Sequence, residues 1–187
     1  MAHKISLFET PVWVSELNIN ADEILEDVLE FCSKTESVQR SNVGGYQAQD
    51  YHNQKLYEAI GRNLPRKHID HLNEFQIHGW VNINKKGDYN MRHTHANTDI
   101  LLCGVYYLKV PKNSGRIRFY DPRGAWLQAM PDHRYFYDSF DYGFVEPEEN
   151  YVIFFPSWLE HGVEPNNSSE DRISIAFNIV ADVPFPR

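Results

Sequence analysis

Only two cysteines occur in 187 residues. That scarcity excludes a disulfide-built secreted scaffold and predicts free thiols in a reducing compartment, Cys32 in a helix-like stretch and Cys103 in an apolar strand-like one. Basic residues are scarce relative to acids: 18 Lys and Arg against 26 Asp and Glu leave a net charge of -8. General nucleic-acid and anionic-membrane binding need basic surface, so neither is expected, although a local basic patch remains compatible with that total. No apolar run approaches the ~20 residues that span a bilayer. The opening Met-Ala-His-Lys-Ile-Ser has no signal-type apolar region. The expected location is cytoplasmic, with no membrane partner. Repeats, low-complexity tracts and linkers are missing too, so one domain over residues 1–187 is expected.

What the chain does have is core-forming material, 42% hydrophobic and 14% aromatic, enough for one sizeable core. Leu7-Phe8 and Val12-Trp13-Val14 flank Pro11 and read as a short first strand. Asn20 to Cys32 reads as a helix. Asn20 caps it, Asp22, Glu23 and Glu26 favour its positive end, and Ile24, Leu25, Val28, Leu29 and Phe31 form its apolar stripe. Residues 53–64 read as a second helix, with Leu56, Ile60 and Leu64 spaced by four and Pro65 as its stop.

From Phe75 the period becomes two. Ile77, Gly79, Val81 and Ile83 share one face, His78, Trp80, Asn82 and Asn84 the other. Further strands are expected over 100–110, 115–120, 134–138, 143–146, 151–155 and 172–180. The predicted fold is mainly β with flanking helices: a double-stranded β-helix, or cupin-like jelly roll. Residues 1–72 would be its helical N-terminal support and 73–187 its β-sandwich core.

The chemistry concentrates in His93-Thr94-His95, followed 66 residues after His95 by His161 and then by Arg172 and Ser174. On a strand, residues i and i+2 project to one side, so His93 and His95 can reach one cation. His161, after the apolar stretch Tyr151–Pro156, is the best third ligand, and imidazole suits iron, zinc, copper or nickel. Nine histidines make a chance His-x-His pair common, so the pair alone is weak. His3, His52, His68, His71, His78 and His133 have no comparable context.

Alternation along the later strand puts Arg172, Ser174, Ala176 and Asn178 on one face. A guanidinium fork beside a hydroxyl suits a carboxylate. The competing expectation is an edge-strand arginine paired with Asp171 or Glu170. Asp121 to Asp141, with Arg123, Trp126, His133 and Arg134, reads as a loop or hairpin over the pocket mouth.

Together these residues resemble the 2-oxoglutarate- and Fe(II)-dependent oxygenases, in particular a family of small members found in bacteria and phages. The resemblance runs through Leu7–Pro11, Trp80–Asn84, His93-Thr-His95, Gly104–Leu108, Ser114-Gly115, Tyr120–Arg123, Phe155–His161 and Arg172–Asn178. The segments around His93–Leu108 and His161–Asn178 are also similar to prolyl hydroxylases. The resemblance implies Fe(II), 2-oxoglutarate and O2, with hydroxylation of a small-molecule or peptide substrate and release of succinate and CO2. Carried over by position, His93 and His161 become iron ligands. Arg172 holds the far carboxylate of 2-oxoglutarate with Ser174 beside it and Tyr107 as a second contact. Asn82 lines the cosubstrate pocket, with Trp80, Asn178 and Arg123 as further pocket residues. Core packing is the competing role for Tyr107 and Trp80.

One position departs from the family. The usual motif is His-x-Asp, and here the carboxylate place is taken by His95. A three-histidine face carries one more positive charge on the bare site, which weakens iron retention or alters reactivity. Asp99 is the alternative ligand, given a bulge over 96–98. Two other readings therefore stand beside the oxygenase: a cupin-like three-histidine dioxygenase without 2-oxoglutarate, and a non-catalytic jelly-roll binding module. A homodimer through a sheet edge or the N-terminal helix is compatible, and no feature demands one.

Overall fold

The computed structural model describes residues 3, 8–68, 75–95, 99–124 and 142–181. Its elements, in chain order, are β1 (Trp13–Glu16), α1 (Ala21–Lys34), β2 (Asn42–Val43), β3 (Tyr46–Tyr51), α2 (Gln54–Asn63), a 3-10 turn (Arg66–His68), β4 (Phe75–Asn84), β5 (Tyr89–His93), β6 (Ile100–Lys109), β7 (Ile117–Tyr120), β8 (Tyr142–Val145), β9 (Tyr151–Pro156), β10 (His161–Val163) and β11 (Arg172–Ala181). They form two antiparallel sheets. The major sheet runs β1-β9-β6-β11-β4-β3, the minor one β2-β5-β10-β7-β8. This is the expected mainly-β architecture with two helices.

Both helices begin where their caps predict. Asn20 accepts from the Asp22 N–H at the head of α1, and Asn53 accepts from the Leu56 N–H at the head of α2. Ile24 and Val28 of α1 and Leu56 and Ile60 of α2 are buried, whereas Leu29, expected in the stripe, is half exposed. The buried helix residues share a core with Val81 of β4, Tyr106 of β6, Phe154 of β9 and Ile175, Phe177 and Ile179 of β11. The helices thus cover one face of the major sheet.

Strand alternation sends the intervening residues to the other face. There Cys103, Val105, Tyr107, Ile153 and Phe155 meet Ile117 and Phe119 of the minor sheet in a second core. The same inner face carries the polar positions of β4 and β11. The site lies between the sheets because that is where these residues point.

β1 forms at the short first strand expected around Trp13, whereas β2 and β3 are additional strands, built into the minor and the major sheet. β3 pairs with β4, and Gln47 and Ala48 on it are buried. Its sequence, Tyr-Gln-Ala-Gln-Asp-Tyr, shows no apolar alternation, so a hydrophobic period cannot reveal it. The strand expected over 134–138, the bulge over 96–98 and most of the expected loop, including Trp126, His133 and Arg134, lie outside the described residues. Among the described residues no helix is long and apolar enough to cross a membrane.

Candidate functional site

β5 ends at His93 and β10 begins at His161, and the two residues are direct cross-strand partners. His95 lies beyond the end of β5, so strand alternation is not what aims it. Its backbone N–H donates to the Ser157 carbonyl (3.0 Å), and its ring stacks on Trp80 at 5.7 Å and 18°. The three imidazoles face one another, with ring centroids 4.4 to 5.2 Å apart.

Each ring has one nitrogen engaged. His93 Nδ1 donates to the Met91 carbonyl (2.7 Å), His161 Nδ1 to the Leu159 carbonyl (2.9 Å) and His95 Nδ1 to Asn178 Oδ1 (2.8 Å). An oxygen acceptor holds the proton at Nδ1 and leaves Nε2 with a free lone pair. One ligand-capable nitrogen from each residue lies within 4.8 Å of the other two. Burial lowers the pKa of all three. For His161 burial, reinforced by His93, brings it to about 3. Three neutral imidazoles with converging lone pairs suit a first-row divalent metal.

Asp99 is not in this cluster. It is exposed in the turn before β6, and its carbonyl receives the Ala181 N–H. The structure therefore groups His95, not Asp99, with His93 and His161.

Arg172 is only 1% exposed. Its Nη1 donates to the Ser114 carbonyl (2.5 Å) and the Gly115 carbonyl (3.3 Å). Gly115 is at φ +86°, and a Cβ there would meet the Glu164 carbonyl oxygen at 2.5 Å, so only glycine fits this cradle. The expected alternative, pairing with a neighbouring acid, is not what forms. Glu170 pairs with Lys109 (3.1 Å), and no carboxylate lies within ion-pair distance of Arg172 among the described residues. A buried guanidinium held only by carbonyls is an unneutralised charge.

A polar row crosses the inner face beside it. Tyr107 on β6 is opposite Ser174 on β11, which is opposite Asn82 on β4, which is opposite Gln47 on β3. All four are buried. Burial pushes the Tyr107 hydroxyl up to about 12 while Arg172 pulls the other way, so the phenol remains a donor. Asn82 Oδ1 has no hydrogen-bond partner among the described residues.

The histidines, Arg172, Ser174, Tyr107, Asn82 and Trp80 all line one cavity between the two sheets. Arg172 and Asn178 stand six residues apart on β11, roughly 20 Å of extended chain. The cation-attracting and anion-attracting groups are thus set toward different ends.

Of the further expected pocket residues, Arg123 lies elsewhere, while Asn178 lines the neighbouring groove with Trp80, His93 and His95. Arg123 is forked onto Asp121 (3.0 and 2.7 Å) in the turn after β7 and does not line the cavity, because its own neighbour supplies the anion. Asn178 stands behind His95 and accepts from both it and the Cys103 thiol (3.3 Å). Sequence reasoning missed Cys103 and Gln47 at the site. Alternation against Asn178 could have exposed the first; the second sits on the unread β3.

Residues 78–178 match the sequence model of the family described as "Putative 2OG-Fe(II) oxygenase". The chain belongs to that family. It is an oxidoreductase, an oxygenase that uses Fe(II), 2-oxoglutarate and O2. No curated protein matches it in sequence. Solved structures share the fold of the oxygenase at low identity. A Pseudomonas putida prolyl-4-hydroxylase is 15% identical over 91% of this chain and 93% of its own, with a TM-score of 0.60. The viral collagen prolyl hydroxylase of Paramecium bursaria Chlorella virus-1, solved with 2-oxoglutarate, is 14% identical over 91% and 96%, with a TM-score of 0.58. HygX of Streptomyces hygroscopicus, solved with nickel and 2-oxoglutarate, is 13% identical over 92% and 84%, with a TM-score of 0.63. These neighbours identify the double-sheet architecture as the oxygenase jelly roll.

Proposed function

We propose that His93, His95 and His161 hold the iron of this oxygenase through Nε2, and that Arg172 anchors the far carboxylate of 2-oxoglutarate. Tyr107 and Ser174 donate to the same carboxylate, and Asn82 lines the cosubstrate pocket. The reaction is hydroxylation of a small molecule or peptide. Iron held by these histidines would supply O2 activation, coupled to conversion of 2-oxoglutarate to succinate and CO2 and of a substrate C–H to an alcohol. The protein orients both partners and keeps the site dry. Phe155 packs on His161 (4.6 Å) and Phe119 on Phe155 (5.0 Å), which walls the metal side with apolar rings. Free Cys32 and Cys103 support a reducing, cytoplasmic workplace.

One observation carries this reading. A buried guanidinium with no counter-ion among the described residues lines the same cavity as three clustered imidazoles. A dicarboxylate that also binds the metal supplies what both ends lack.

Anaerobic titration of the Fe(II)-loaded protein with 2-oxoglutarate tests it. A weak visible charge-transfer band is expected, lost in His161→Ala and weakened in Arg172→Ala. No band with iron shown to be bound would exclude chelation by 2-oxoglutarate. It would favour the three-histidine dioxygenase, a second reading that rests on His95 standing where the family has a carboxylate.

A further inference from the structure

A broad groove lies beside the cavity and shares His93, His95 and Trp80 with it. Its wall on the β3 side is made by Gln47 and Gln49, two residues apart and therefore on one face of the strand. Met91 and Ile100 add apolar surface, and Arg40 stands exposed at the rim. Nothing in the proposed metal and cosubstrate chemistry uses this wall.

Gln47 is its informative member. It is 97% buried, since only 3% of its surface is exposed, and its Oε1 has no hydrogen-bond partner among the described residues. Its backbone is fully engaged: the N–H donates to Ser37 Oγ (3.1 Å), and the carbonyl accepts from Val38 (2.9 Å). The strand is thus held in place while the side-chain oxygen is left without a donor. A buried carbonyl with no donor is unfavourable, so a ligand that brings one gains affinity.

The lining also selects charge. None of the twelve described lining residues is acidic, so an ammonium group finds no counter-ion. The two cations do not favour an anion in the interior either. Arg92 is engaged with Glu160 and lies over the Tyr120 ring, and Arg40 is in water at the rim, where attraction is screened. What remains is a neutral group that gives a hydrogen bond and tolerates the Trp80 face. A secondary amide N–H fits, and a carboxamide pairs with it naturally.

We infer that this groove is the substrate subsite of the oxygenase, that it takes a neutral amide-bearing substrate, and that the Gln47 carboxamide turns so that its Oε1, buried in this structure, receives the amide N–H beside the carbon to be hydroxylated. The inference rests on the proposed metal site and adds the class of substrate.

The test uses Mn(II)-loaded protein with 2-oxoglutarate and measures paramagnetic relaxation of probe methyl protons. The probes are N-methylacetamide, methyl acetate, acetate and tetramethylammonium. N-methylacetamide and methyl acetate differ essentially in the N–H, so the amide should show about 2- to 10-fold the enhancement of the ester. Gln47→Met, which keeps length but removes the acceptor, should reduce the amide to the level of the ester while Mn(II) and 2-oxoglutarate still bind. Gln49→Ala provides a second variant with β3 preserved, and there the amide preference should persist. Equal enhancement of amide and ester, preference for a charged probe, or an amide signal unchanged in Gln47→Met would each overturn the subsite. So would no enhancement of any probe with metal and 2-oxoglutarate bound. Failure of Mn(II) itself to bind would instead overturn the metal site, and the subsite with it.

Discussion

At one end of the cavity, three imidazoles have their Nδ1 hydrogens committed to oxygen acceptors and their other nitrogens turned together. At the other, a guanidinium donates to the Ser114 and Gly115 backbone carbonyls, with no carboxylate beside it among the described residues. The first end offers lone pairs that suit a cation, the second a cation that suits an anion. They are also held differently. Two histidines and the arginine lean on main-chain carbonyls, which no side-chain substitution removes; His95 alone leans on a side chain, Asn178. Burial acts on both ends, holding the histidines neutral and leaving the arginine charge unscreened. The proposed function fills both ends together, with a metal at the histidines and a carboxylate at Arg172.

The largest effect should come from removing a histidine. His161→Ala should cost more in Fe(II) affinity than the roughly 100-fold upper range for an outer partner, and turnover of 2-oxoglutarate should fall to background. Calorimetric titration with Fe(II) under anaerobic conditions checks this; retained affinity would remove His161 from the metal site.

Arg172→Met breaks the other end alone. Loss of a charge-assisted hydrogen bond worth about 1.5–3 kcal/mol should raise the Kd for 2-oxoglutarate by roughly 10- to 150-fold, with Fe(II) binding unchanged. Replacing a buried unpaired charge by an apolar chain should leave the ligand-free Tm equal or higher. A clear drop in Tm would mean that the carbonyl contacts compensate the charge already.

Asn178→Leu sharpens the difference in support. It removes the only side-chain acceptor among the three, so Fe(II) affinity should fall by about 10-fold while Asn178→Asp retains it. Equal affinity in wild type and Asn178→Leu would show that Trp80 stacking suffices to orient His95. Tyr107→Phe should be milder, about 2- to 10-fold in 2-oxoglutarate affinity, because one neutral donor is lost and Arg172 remains. An unchanged Kd would return Tyr107 to core packing.

The smallest effect is on stability against pH. The folded histidines have pKa values below the usual ~6.5, so the unfolded chain binds more protons as pH falls below that value. Ligand-free protein should therefore keep this stability above pH 6.5 and lose it progressively toward the folded value of about 3 for His161. Melting curves from pH 7.5 to 5 should show a falling Tm, with a shallower fall in His161→Asn. A Tm that rises on acidification would contradict the burial.

Much of this was legible because local patterns carry it. Asn20 announces the first helix, the spacing of Leu56, Ile60 and Leu64 the second, and the period of two along 75–84 and 172–181 separates the helix-covered face from the cavity face. The same logic failed on β3, whose cavity-facing positions are glutamines, so the most useful wall of the groove carries no hydrophobic signal. It grouped His93 with His95 by strand alternation, whereas the structure brings them together differently: the second is past the end of the strand and is oriented by Ser157, Trp80 and Asn178. For Arg123, a nearby aspartate was a stronger attraction than the pocket.

The chain alone determined which groups are on offer: three imidazoles, one arginine with a serine two residues on, few cysteines and an acidic surface. It also determined which side of each long strand they take, because side-chain direction alternates with the backbone itself. Only the tertiary structure decided that His93 pairs with His161, that Asn178 reaches His95 across 83 residues and that Arg172 meets Ser114 across 58 rather than the acids beside it. Those choices depend on strand register and sheet order, which bring distant segments together and which no local period encodes.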